Sequence, residues 1–150
     1  MIGTWPLSGD LGNVDKSNAY LTLEYCAKVG FTEFDTAPSY GGGFMETCLG
    51  DLFGDDKNIL INTKCGNSNR NKKDFNNIAL KKSLEDSLRR LHRSSIHILF
   101  LHNPREELPD LTPAIQFFNT EKNNGSILYG GLSAAKGYQY DLLQCEQLDI

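Results

Sequence analysis

An apolar stretch of this chain ends on a carboxylate, Asp35, and a phenol, Tyr40, follows within the run FDTAPSYGGG at positions 34–43. Two later apolar stretches also end on titratable groups: ILINTK closes with Lys64 and IHILFLH closes with His102. If the three stretches are parallel, neighbouring strands, a carboxylate, a phenol, an ammonium and an imidazole converge at one end of a sheet. That set of groups points to proton transfer. Taken singly, each has a plainer reading: a turn aromatic, a surface lysine, a loop cap, a strand-end histidine. Their recurrence at successive strand ends favours the shared site.

The segments between them supply the scaffold. Asp15 is placed to cap a helix running to Val29, with Tyr20, Leu23 and Ala27 on one face and Gly30 as its stop. FTEFDT then reads as a strand, glycines 41–43 as a turn, and Glu46 to Gly54 as a short helix. ILINTK is the next strand. From Ile78 to Leu91, Leu80, Leu84, Leu88 and Leu91 recur at helical spacing, with lysines, arginines and acids on the other side. Ile96 to Leu101 is a strand that hands over to its loop at His102, Thr112 and Pro113 make a cap and first-turn pair for a further helix, and SILYGGLS is another strand. Tyr140 to Cys145 reads as a short helix, and Leu148 to Ile150 as a strand just beginning.

Strands separated by helices imply parallel βαβ units. Alternation puts Lys64 on the same side as Leu60 and Asn62, and His102 on the same side as Ile98 and Phe100. Polar tips where strands hand over to their following loops fit the catalytic face of a βα barrel. Glu33 shares its face with Asp35 and needs a partner if buried. His97, at the start of its strand, and His92, at the end of a charged helix, read as structural or exposed.

Composition narrows the class. The 150 residues carry a formal net charge of −4, 39% hydrophobic and 23% charged residues, which suits one globular domain over 1–150 that can bury ~68–70% of its unfolded surface. The acidic balance argues against a nucleic-acid partner. The one basic run, Arg70 to Lys73, reads as a solvated loop. Four scattered cysteines without a CxxC pair fit reduced thiols in the cytoplasm, with Cys65 a small buried hydrophobe. No cysteine and histidine spacing suggests zinc, no stretch is apolar enough to span a membrane, and no secretory signal or phosphate-binding glycine motif is present.

These residues resemble the aldo/keto reductase family of NAD(P)H-dependent (β/α) barrels. The matching elements, in family order, are GTW at 3–5, FDTAPSYG with METCLG across 34–50, TK at 63–64, LH at 101–102 and GLS at 131–133. The resemblance implies a catalytic tetrad of Asp35, Tyr40, Lys64 and His102. Tyr40 would be the proton donor, Lys64 would lower the phenol's affinity for its proton, Asp35 would pair with Lys64, and neutral His102 would orient a substrate carbonyl. Gly3, Thr4, Trp5 and Ser133, together with Asp35, would bind the nicotinamide of NADPH, or of NADH in its place. Many members have Asn after that Ser, and this chain has Ala134.

The resemblance further implies that the chain is a partial (β/α)8 TIM barrel: about five βα units, with strand one incomplete and strand six just starting, where the family has eight. The expected activity, in the complete protein, is reduction of aldehyde or ketone carbonyls to alcohols. An alternative is a truncated, non-catalytic remnant or interaction module of the same fold, and open barrel edges would favour self-association. A Schiff-base aldolase using Lys64 is a third reading, opposed by Asp35, which would keep the lysine charged.

Overall fold

The computed structural model describes residues 1–69, 72–104, 108–134 and 145–150. Its centre is a parallel five-stranded sheet of β1 (Ile2–Gly3), β2 (Glu33–Asp35), β3 (Leu60–Cys65), β6 (Ile96–His102) and β7 (Ile127–Ser133), in that spatial order. Helices α1 (Lys16–Lys28), α2 (Phe44–Phe53), α3 (Asn77–Arg90) and α4 (Thr112–Asn123) alternate with these strands. Each strand pairs with its predecessor in the sheet, which is the connectivity of one stretch of a (β/α)8 barrel.

Local chemistry explains the helix starts. The Asp15 carboxylate accepts from the Ser17 amide at 2.9 Å and caps α1, and the Asn76 side chain accepts from the Ala79 amide at 2.9 Å and caps α3. At α4 the expected cap is displaced. Thr112 already lies inside the helix, and the Asp110 carboxylate two residues earlier takes its amide at 2.9 Å. The helices bury Leu23, Met45, Leu49, Leu80, Leu84 and Phe118 against Phe34, Ile61, Leu99 and Leu101 of the strands. At about 25 cal/mol per Å2, this burial is the main favourable contribution to folding.

The predicted solvated loop at Arg70 to Lys73 is different in the structure. β4 (Asn67–Asn69) pairs antiparallel with β5 (Lys72–Lys73), Arg70 and Asn71 lie outside the described residues, and the Asp74 amide closes the base on the Gly66 carbonyl at 2.9 Å. Backbone pairing over so few residues needs no apolar alternation, so composition concealed it. The expected helix over Tyr140 to Cys145 falls almost wholly outside the described residues. At Leu148 to Ile150 no strand forms, but the chain still follows β7: the Asp149 amide bonds the Gly130 carbonyl and the Leu132 amide bonds the Ile150 carbonyl, both at 3.0 Å.

Two further contacts fix the sheet. Glu33 finds its partner in the Asn62 side-chain amide, at 2.8 Å. Arg93, just after α3, donates to three carbonyl oxygens that precede β3: Ile59 at 2.8 Å, Phe53 at 2.7 Å and Asp56 at 2.6 Å. No described helix is long and apolar enough to cross a membrane.

Candidate active site

The register of the sheet sets the site out in a row. Gly3 lies beside Asp35, Asp35 beside Asn62, Lys64 beside Phe100, and His102 beside Ser133. Gly3, Asp35, Lys64, His102 and Ser133 lie at or next to the C-terminal ends of their strands.

Lys64 is almost fully buried. Its Nζ donates to both Asp35 carboxylate oxygens, at 2.8 and 2.7 Å, and to the Thr36 carbonyl at 2.8 Å. The same nitrogen lies 5.0 Å from the centroid of the Tyr40 ring. Tyr40 arrives by a tight turn, its amide bonded to the Ala37 carbonyl at 3.0 Å. Gly41 then takes φ 61°, and a Cβ there would meet the Ser8 carbonyl oxygen at 2.8 Å, so only glycine closes this turn. The Gly41 amide is held by the Asp10 carboxylate at 3.1 Å. The phenol ring stacks on Trp5 with centroids 6.3 Å apart and meets the edge of His102 at 6.1 Å.

The charges balance differently from the expectation that Lys64 would lower the phenol's pKa. Burial, followed by the Asp35 charge, pushes Tyr40 up to about 12. Lys64 is already neutralised by a two-oxygen ion pair and sits over the ring face, so desolvation dominates and Tyr40 keeps its proton in the resting site. Burial pushes Lys64 below the usual lysine range, against the opposing pull of Asp35 and Glu46.

His102 is lowered to about 4 by burial and then by the nearby charges of Lys64 and Lys73, so it is neutral at pH 7. Its Nδ1 is buried without a hydrogen-bond partner among the described residues. A histidine depressed in the folded state contributes stability above its unfolded pKa, and that stability is lost as pH falls. Between pH ~6.5 and about 4 the loss reaches about 3 kcal/mol. Urea titrations at pH 7 and pH 4.5 should show a smaller acid loss in His102→Gln than in the parent; equal losses would refute the assignment.

Tyr40, His102 and Trp5 line a cavity of about 400 Å3, together with Asp10, Ser39, Asn67 and Asn103. The last four were not foreseen. Only Asn103 left a trace in the sequence, directly after His102, and its φ of 49° is a conformation asparagine tolerates. Of the residues expected at a nicotinamide, Thr4 is fully buried with an unpartnered hydroxyl, Trp5 is half exposed, and Ser133 accepts the Asn103 amide at 2.8 Å through its carbonyl. An unsatisfied buried hydroxyl beside Asp35 suits a carboxamide. Cys65 is buried and its thiol is pushed up by burial alone, so it is inert packing. His97 packs edge-on against Tyr129 and His92 is exposed, away from the site.

Comparison with known proteins identifies the family and the fold. The chain is 32% identical over 139 residues to L-galactose dehydrogenase of Arabidopsis thaliana, covering 87% of this chain and 43% of that protein. It is 30% identical to the uncharacterized oxidoreductase YcsN of Bacillus subtilis, covering 95% of this chain and 51% of that one. An aldo-keto reductase from Bacillus halodurans, solved in its holo form, superposes with a TM-score of 0.76 at 27% identity, covering 89% of this chain and 45% of that chain. The chain thus spans about half the length of the relatives it matches. The model of the Aldo/keto reductase family matches residues 1–148, and the chain belongs to that family.

Proposed function

We propose that the protein is an oxidoreductase that reduces an aldehyde or ketone to an alcohol, with Tyr40 as the proton donor. The observation that carries this reading is that Tyr40 and neutral His102 line one cavity, with the Lys64–Asp35 ion pair against the Tyr40 ring. A bound nicotinamide cofactor, NADPH or NADH, supplies the hydride; Gly3, Thr4, Trp5, Asp35 and Ser133 would hold its ring.

The chain's own groups manage the oxygen. His102, uncharged and lining the cavity beside Tyr40, orients a carbonyl by hydrogen bonding. As negative charge develops on that oxygen, it becomes a stronger base than the phenolate, so the tightly held Tyr40 proton is released to it. Lys64, fixed by Asp35, supplies a positive charge beside the phenol at that moment.

The polar rim of Asp10, Ser39, Asn67 and Asn103 around an aromatic floor favours a hydroxylated carbonyl compound, and the sugar named for the Arabidopsis relative is of that kind. The test is consumption of NADPH by the full-length protein with a panel of hydroxyaldehydes and hydroxyketones against alkyl aldehydes of equal length. Turnover of the hydroxylated set at higher kcat/KM is expected. No turnover of any carbonyl would reject the activity, and a preference for alkyl aldehydes would reject the substrate class.

A further inference from the structure

Glu46 is a fully buried carboxylate with no part in the chemistry above. It stands in the first turn of α2, directly after the turn that carries Tyr40. One of its oxygens accepts the Thr63 hydroxyl at 2.6 Å, and Thr63 is the residue before Lys64 on β3. The other accepts Arg90 of α3, from Nε at 2.7 Å and from Nη2 at 2.6 Å. The aliphatic stem of Arg90 in turn lies against Gly43, the last residue of the Tyr40 turn, where a Cβ would come within 2.9 Å of its Cδ.

A buried carboxylate costs stability unless it is paired. Here its partners are one element from each side of the site. The helix-facing side of β3 is gripped beside Lys64, and the backbone that delivers Tyr40 is clamped between Glu46 and Arg90. The phenol and the ammonium are otherwise held on separate segments that approach at 5.0 Å through a ring-face contact. Such a contact is soft in direction.

We infer that Glu46 is a positioning residue that fixes Tyr40 relative to Lys64, acting through Thr63 on one side and through Arg90 and Gly43 on the other. The inference rests on the reading of Tyr40 as acid and Lys64 as its charged neighbour. Misplacing a reacting group by about an ångström can cost ~100-fold in rate, so the clamp bears on kcat rather than on substrate binding.

The experiment uses Thr63→Val, which keeps the side chain's shape and deletes its hydroxyl, and Thr63→Ser, which restores the hydroxyl, each in the full-length protein. Thr63→Val is expected to lower kcat by about tenfold to a hundredfold with KM unchanged, and Thr63→Ser to recover most of it. A second readout needs no turnover. The Lys64 ε-methylene resonances, shifted by the Tyr40 ring in the parent, should move toward free-lysine positions in Thr63→Val and return in Thr63→Ser. Wild-type kcat and unmoved Lys64 resonances in Thr63→Val would overturn the inference, as would equal losses in both variants. Tyr40→Phe, measured alongside, separates the two levels: if it stays active, the acid assignment fails; if it is inactive while Thr63→Val is normal, only the positioning role fails.

Discussion

Tyr40→Phe, in the full-length protein, is expected to lower carbonyl reduction by about 100- to 10,000-fold, the range spanned by general acid catalysis, while NADPH still quenches Trp5 fluorescence at the parental concentration. The substitution removes one oxygen and keeps the ring. Its stacking on Trp5 and its edge contact with His102 are made by ring carbons, so the cavity keeps its shape. Among the described residues the phenol oxygen makes no hydrogen bond whose loss would unsettle the fold, unlike Tyr20, whose hydroxyl bonds Asp51 at 2.6 Å. Stopped-flow hydride transfer and fluorescence titration on one preparation test both halves. Retained turnover would assign the proton to another donor, with Asp10 and His102 the other titratable groups lining the cavity.

Lys64→Met should be the most damaging substitution to the molecule as a whole. Methionine reproduces the length of the buried stem, but the Asp35 carboxylate loses both of its short hydrogen bonds and the Thr36 carbonyl loses its donor. Breaking a buried pair from one side costs roughly 3–5 kcal/mol. Because Asp35 keeps some contact with solvent, the lower end applies, and about 3 kcal/mol corresponds to a Tm lower by roughly 6–12 °C at this chain length. The catalytic effect runs the same way: with its neutralising partner gone, the Asp35 charge raises the phenol's pKa further, and no cation meets the developing phenolate. A kcat loss of about 100-fold or more is expected. Adding Asp35→Asn removes the orphaned charge and should recover part of the Tm but none of the kcat. Calorimetry of the parent and the two variants decides, and a Lys64→Met protein as stable as its parent would show that the pair contributes nothing.

The sheet and the convergence of its polar tips were legible because parallel strands with helical crossovers place every hand-over at the same end. Asp35, Lys64 and His102 therefore had to share a rim once their strands were recognised. Asp15 illustrates the other legible kind of element, a cap whose side chain bonds within its own turn, whereas Asn76, which caps α3 in the same way, was not foreseen. What escaped depended on partners far along the chain. Glu46 reads as an acid suitably placed in a first helical turn; that it is buried follows only from Arg90, 44 residues later. Thr112 reads as a cap, but the N-cap position falls on Leu111 and the Asp110 carboxylate before it takes the Thr112 amide. The sign of the Tyr40 shift escaped for a related reason. Sequence identifies a cation near the phenol, but the outcome depends on how completely that cation is paired and on how much water is excluded.

The three carbonyl contacts of Arg93 make the start of β3 a fixed origin. Lys64 stands four residues beyond Leu60, roughly 13 Å along a strand that does not stretch. Because side chains alternate, a one-residue slip at that origin would turn the lysine to the helix side of the sheet. The guanidinium carries its charge at any physiological pH and cannot be titrated away. The loops that shape the cavity hang from the far end of this measured length. A protein engineer can exchange them without resetting the origin, whereas an insertion between Ile59 and Lys64 would part Lys64 from Asp35 and Tyr40 while leaving the loops around the cavity intact.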